Sequence, residues 1–152
     1  MDSIKNSDLD KLYQEIIQEH AVSPRNYGKL VHKTATKRVF NPICGDDLTI
    51  EVEIKNDILQ KISFSGEGCI LSTASASVMT ELVVSKSIDD IHKLINNFYS
   101  LVTDKVIDQD MLIALGDAIA FKNVKQFPIR VKCVLMSWDA LRMCLKGNQV
   151  NE

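Results

Sequence analysis

Leu48, Ile50, Val52 and Ile54 alternate with Thr49, Glu51 and Glu53, and this period of two gives way at Cys69 to apolar residues recurring at helical spacing. A chain patterned for strands first and helices afterwards is confined to α+β architectures, with helices laid on a sheet. Asn56-Asp57 turns the first strand into a second, whose apolar positions are Ile58, Ile62 and Phe64, and a shorter strand near Thr36 to Phe40 completes the sheet. The expected fold is α+β: a small antiparallel sheet of about three strands with about five helices, several packed on one face.

The helical stripes are explicit. Leu9, Leu12, Tyr13, Ile16 and Ile17 share one face of a helix over residues 8–21, with Ser7 and Asp10 as its N-cap pair. Ser23-Pro24-Arg25-Asn26-Tyr27-Gly28 then breaks the chain into a loop. After Cys69, Leu71, Ala74, Val78 and Leu82 form a stripe on a helix whose first turns, Ser72 to Ser77, are all small and permit close approach of another element. Ser87 with Asp90 caps a helix bearing Ile88, Ile91, Leu94, Ile95 and Phe98, and Asp108 caps another with Met111, Leu115, Ala118 and Ile119 inward. The last helix is expected from Val131, with Val134, Trp138, Leu141 and Leu145 on one face and Gly147 as its stop. The chain reads as one domain over residues 1–152, with the N-terminal helix at 8–21, the sheet at 36–65 and the helical part at 70–146.

Composition excludes several functions. The formal charge of −2 is close to balanced, aromatics are 6%, and Lys and Arg are dispersed, so no nucleic acid is expected as a partner. No apolar run reaches the roughly 18–20 residues of a membrane span, and the N-terminus is polar, so no membrane and no export are expected. Four cysteines without a leader read as thiols in a reducing cytoplasm rather than as two disulfides.

Three of those cysteines stand where segments begin or end. Cys44 and Asp46 lie in Asn41-Pro42-Ile43-Cys44-Gly45-Asp46, Cys69 follows Gly66-Glu67-Gly68, and Cys133 closes Phe127-Pro128-Ile129-Arg130-Val131-Lys132-Cys133. A thiophilic ion such as zinc takes four ligands and accepts thiolate and carboxylate, so Cys44, Asp46, Cys69 and Cys133 complete a tetrahedral set. Gly45 removes a side chain that would crowd the turn between Cys44 and Asp46. Cys69 and Cys133 each sit near an expected helix start, where the peptide dipole favours thiolate. The competing reading is three isolated thiols and, for Asp46 beside Asp47, a strand-end carboxylate in water. Cys144, among Leu141, Met143 and Leu145, lies roughly 16 Å along the helix from Cys133 at about 1.5 Å per residue, too far to share an ion, and reads as an apolar filler. His20 closes the first helix and reads as structural or partner-facing; His32 and His92 carry no signal.

Taken in order, Pro24-Arg25-Asn26-x-Gly28-x-Leu30, Asn41-Pro42-x-Cys44-Gly45-Asp46, Gly66-x-Gly68-Cys69-x-x-Ser72-x-Ala74-Ser75-Ala76-Ser77 and Phe127-Pro128-x-Arg130-x-Lys132-Cys133 with Trp138 resemble the SufU branch of the IscU-like iron-sulfur assembly proteins. The resemblance spans about Leu12 to Leu145. Lys132 stands where the IscU branch carries histidine, and Phe127-Pro128-Ile129-Arg130-Val131 replaces its chaperone-recognised Leu-Pro-Pro-Val-Lys, as in SufU. The long stretch between Cys69 and Cys133 looks like the SufU insertion. Ile43 replaces a common threonine and Ile70-Leu71 a more polar pair, without loss of a ligand.

The resemblance implies that Cys44, Asp46, Cys69 and Cys133 bind zinc and that Cys44 accepts persulfide sulfur from a SufS-type cysteine desulfurase, for delivery to a downstream iron-sulfur scaffold or apo-proteins. The activity would be sulfurtransferase-like, exercised with the desulfurase rather than alone. The alternative is a scaffold on which Cys44, Cys69 and Cys133 hold a transient [2Fe-2S] cluster. A third reading is a binding module with purely structural zinc. Arg130 and Lys132 beside the site suit an acidic partner surface.

Overall fold

The computed structural model describes residues 6–150, and for residues 6 and 147–150 the backbone alone. Three strands, β1 (Ala35–Asn41), β2 (Asp46–Lys55) and β3 (Ile58–Glu67), form an antiparallel sheet in the order β1-β2-β3. The β2–β3 turn uses Asn56 and Asp57 at φ of 56° and 61°, the left-handed pair that a two-residue hairpin demands and that Asn and Asp tolerate. Five α-helices surround the sheet: α1 (Asn6–Val22), α2 (Ile70–Val83), α3 (Ile88–Val102), α4 (Gln109–Leu115) and α5 (Pro128–Val150). The architecture is α+β, as the change of period at Cys69 predicts.

Leu48, Ile50 and Val52 are fully buried on one face of β2, and α5 lies across that face over β1 and β2. Helix α2 packs between α1 and α5, which its small residues allow: Ala74, Ser75, Ala76 and Ser77 are all buried. The Ser75 hydroxyl donates to the Val134 carbonyl at 2.6 Å and accepts the Trp138 indole N–H at 3.0 Å, closing two polar groups inside the core. Trp138 stacks on Phe98 of α3 at 4.1 Å, so α3 belongs to the core. Ser87 and Asp108 cap α3 and α4 through Asp90 N and Met111 N.

Four details depart from the sequence pattern. Helix α1 already includes Asn6, which places Ser7 inside it rather than at its cap. The Asp108-capped helix stops at Leu115, because Gly116 adopts φ of 50°, and the chain continues as a 3₁₀ segment (Gly116–Gln126). Leu115 and Ala118 still face inward, whereas Met111 and Ile119 are half-buried. Helix α5 begins at Pro128, a residue pre-set for the first helical turn, and runs through Gly147 to Val150, so Gly147 is not its stop. Finally, the solvent face of β2 is not wet throughout. Glu51 is buried, accepting Leu30 N–H at 2.7 Å and pairing with Lys33 at 3.5 Å, because the 28–34 segment folds over it.

Candidate metal centre

Four backbone segments meet at one end of the sheet: the β1–β2 turn, the start of β2, the N-terminus of α2 and the second turn of α5. The turn holds Cys44, and Gly45 sits at φ of 72° with open space where a Cβ would stand. Glycine is therefore required for its left-handed backbone and not to relieve crowding. Gly68 is the opposite case: a Cβ there would lie 2.3 Å from Ser72 Oγ and 3.0 Å from Asp46 Oδ1, so only glycine lets β3 hand the chain to α2 this close to the carboxylate.

Asp46 is not a strand-end residue in water. It is completely buried, and its Oδ1 accepts the Cys69 backbone N–H at 2.7 Å and the Ser72 hydroxyl at 3.0 Å. An unpaired carboxylate at this depth is costly. Here the start of α2 supplies both donors, with the helix dipole in the favourable sense. Oδ2 is left facing sulfur, with Cys69 Sγ 4.0 Å away.

The ligand atoms of Cys44, Asp46 and Cys133 lie within 4.8 Å of one another, and the two sulfurs are 3.0 Å apart. Cys44 is half-buried and Cys133 is buried, so Cys44 is the sulfur of this pair that solvent reaches more readily. Cys69 is beside this trio rather than in it. Its side chain caps α2, accepting Ser72 N–H at 3.4 Å, while its sulfur stays 4.0 Å from Asp46 Oδ2. All four cysteines are free thiols, so the two-disulfide alternative does not hold.

Cys133 corrects one expectation. It lies in the second turn of α5 and not at its start, so the dipole gives it little. Burial pushes its thiol far above the ordinary range, and the adjoining Cys44 thiol, then Cys69 and Asp46, push it the same way. A cation placed among these groups is what would reverse that direction. Two thiols and a buried carboxylate, plus a third thiol 4.0 Å from the carboxylate Oδ2, fit a thiophilic four-coordinate ion.

Two residues beside the site went without a role in the sequence. Asn41, buried at the end of β1, accepts Ile43 N–H at 3.2 Å and sets its amide nitrogen 3.9 Å from Cys133 Sγ. Ser72 orients Asp46. The signal for Ser72 was its place three residues past the helix cap; Asn41 carried only the general turn preference of Asn before Pro. His20 is structural: buried, with Nδ1 2.8 Å from Ser77 Oγ and Nε2 3.8 Å from both Glu81 and Asp117. Arg130 lies over the Phe127 ring at 4.5 Å, and Lys132 is exposed one residue before Cys133.

An α+β fold that gathers three cysteines and an aspartate at the end of its sheet defines a class of small thiol-site proteins. A family profile described as the NifU-like N terminal domain matches residues 12–147, and the chain belongs to that family. Bacillus subtilis SufU, named a zinc-dependent sulfurtransferase, is 38% identical over 136 residues, covering 90% of each chain. The Streptococcus pyogenes protein named iron-sulfur cluster assembly scaffold protein IscU is 34% identical over 140 residues, covering 92% of this chain and 86% of its own. A crystal structure from Fervidobacterium islandicum, titled as an iron-sulfur cluster assembly scaffold protein for the SUF system, superposes with a TM-score of 0.81 at 30% identity, covering 89% of this chain and 97% of that one. Among the described residues no helix is long and apolar enough to cross a membrane.

Proposed function

We propose that the chain is a zinc-dependent sulfur acceptor of iron-sulfur assembly, taking persulfide sulfur on Cys44 from a SufS-type cysteine desulfurase in a reducing cytoplasm and passing it to a downstream scaffold or apo-protein. The observation that carries this reading is the meeting of Cys44, Asp46 and Cys133 within 4.8 Å, with Cys69 capping the adjoining helix. Zinc would be held by Cys44, Asp46, Cys69 and Cys133, and when bound it would keep the thiols deprotonated while damping their nucleophilicity.

The chain's own residues divide the work. Cys44, at the tip of the β1–β2 turn, receives sulfur because it is the accessible member of the pair. Asp46, pinned through Oδ1, offers an oxygen ligand weaker toward a soft ion than thiolate, which leaves the set adaptable when a partner's side chain competes. Ile43, Ile70, Phe127 and Ile129 are exposed beside the four ligands in sequence, the surface chemistry that a protein partner covers, and Arg130 and Lys132 suit an acidic rim on the desulfurase. The activity is sulfurtransferase-like and depends on the desulfurase.

Cys44→Ala is expected to abolish both sulfur acceptance and stimulation of cysteine desulfuration, measured as alanine and sulfide production. Stimulation that survives unchanged would falsify the role of Cys44. The second reading, a scaffold that assembles and transfers a [2Fe-2S] cluster on Cys44, Cys69 and Cys133, draws support from the scaffold named in Streptococcus pyogenes. Anaerobic reconstitution with iron counting separates the two, since only a scaffold yields a stoichiometric cluster that moves to an apo-protein. Purely structural zinc fits least well, because the site lies outside a hydrophobic core that is continuous without it.

A further inference from the structure

The 3.0 Å between Cys44 Sγ and Cys133 Sγ is shorter than a shared ion would set. Two thiolates on one tetrahedral zinc stand about 3.8 Å apart, from Zn–S bonds of about 2.3 Å. The free thiols are instead about 1 Å from S–S bonding distance. Cys69 Sγ accepts Ser72 N–H and Asp46 Oδ1 accepts two donors, so Cys44 is the neighbour whose sulfur meets Cys133 at contact distance. Asn41 holds its amide beside Cys133 and keeps that sulfur turned toward the β1–β2 turn.

From this geometry we propose that Cys133 is a resolving cysteine, which attacks a persulfide on Cys44 and releases its outer sulfur as sulfide. The proposal rests on the reading of Cys44 as a sulfur acceptor. The Cys133 sulfur bonds to Cys44 Sγ, and the bond from Cys44 Sγ to the outer sulfur breaks. The bonding pair leaves with the outer sulfur, which is thereby reduced to hydrosulfide, while the Cys133 sulfur is oxidised to the disulfide level. The Cys133 proton departs with the hydrosulfide as H₂S, and the Asp46 carboxylate, within 4.8 Å of both sulfurs, is placed to carry it across. A second round needs the Cys44–Cys133 disulfide reduced by a dithiol, from a protein or a small molecule. Transfer of intact persulfide and release of sulfide are thus two exits from one intermediate, chosen by whether Cys133 is free to attack.

Cys133 is buried and Cys44 is not, which suits a division between an outer acceptor and an inner resolver. An intramolecular thiol in contact with its target carries an effective concentration that external thiols do not reach, and the Asp46 carboxylate within 4.8 Å is placed to take its proton as the sulfur attacks.

The test treats the full chain anaerobically with a chelator and then with inorganic polysulfide, followed by alkylation and non-reducing mass spectrometry. Wild type is expected to lose two hydrogens and yield a crosslinked Cys44–Cys133 peptide, reopened by dithiothreitol. Cys133→Ser is expected to hold one extra sulfur on Cys44 with a lifetime about tenfold or more longer than wild type. Cys144→Ala, which removes a thiol of the apolar core away from the site, serves as the control and should still form the crosslink. A wild-type chain that keeps a persulfide on Cys44 while Cys133 alkylates freely overturns the resolving role alone. Failure of both wild type and Cys133→Ser to take sulfur at Cys44 overturns the acceptor reading and, with it, this one.

Discussion

Cys133 and Cys144 occupy the two ends of one stretch of α5, both buried, and they live in different chemistry. Cys144 belongs to the continuous apolar core with Trp138, Leu141 and Leu145, and its sulfur lies 4.0 Å from the Ile50 carbonyl. Cys133, outside that core, meets Cys44 at 3.0 Å and Asn41 at 3.9 Å and faces the Asp46 carboxylate. Burial therefore does not distinguish a cysteine packed in the apolar core from one set among polar groups. What distinguishes them is whether neighbouring segments deliver polar groups to the same point.

That contrast is broken most severely by removing what holds the core end together. Trp138→Ala takes away the Phe98 stack and the partner of Ser75, and a loss of about 3–5 kcal/mol is expected in denaturant unfolding. At the site end, Ser72→Ala should cost the metal-free chain about 1–2 kcal/mol, less than Trp138→Ala, yet weaken zinc binding by about 10- to 100-fold in a chelator competition, because Asp46 loses the donor that orients it. Equal effects on both measurements would erase the distinction between the two ends.

The thiols themselves respond to pH in a direction the geometry sets. Burial raises Cys144 from the ordinary 9.0 to about 11, and Cys133 moves the same way. A raised acid pKa means the folded chain holds its proton longer than the unfolded one. This contribution is fully present below pH 9.0 and is lost as pH rises toward 11. The metal-free chain should lose about 2 kcal/mol from Cys144 alone by the upper end of that window. Cys144→Ala is expected to flatten that slope. It should also cost about 1 kcal/mol at neutral pH, by deletion of a small buried group, and leave sulfur acceptance at wild-type level. A loss of sulfur acceptance in this variant would show that the core end is not passive.

The comparison also marks where sequence pattern stops being informative. The strands over β2 and β3, the caps Ser87 and Asp108, and the filler role of Cys144 were legible because periodicity and capping are local. The helix carrying Cys133 starts at Pro128 rather than Val131, which moves that sulfur into the second turn and removes the dipole argument for it. Burial of Glu51 was illegible for a similar reason: alternation marks it as solvent-facing, and only the segment folded over it makes it otherwise. Gly45 and Gly68 looked alike in sequence, yet one is needed for its backbone angle and the other for the space it leaves.

By itself the sequence determined the α+β class and the strand-then-helix order, and it singled out Cys44, Asp46, Cys69 and Cys133 as candidate ligands, since each of these readings depends on residue type and short-range spacing. Tertiary structure alone decided that Asp46 is buried with one oxygen pinned, that Cys69 is parked as a helix cap, and that Cys44 and Cys133 touch. Such distances arise from how the β1–β2 turn, α2 and α5 pack together, and no spacing along the chain encodes the separation of atoms 89 residues apart.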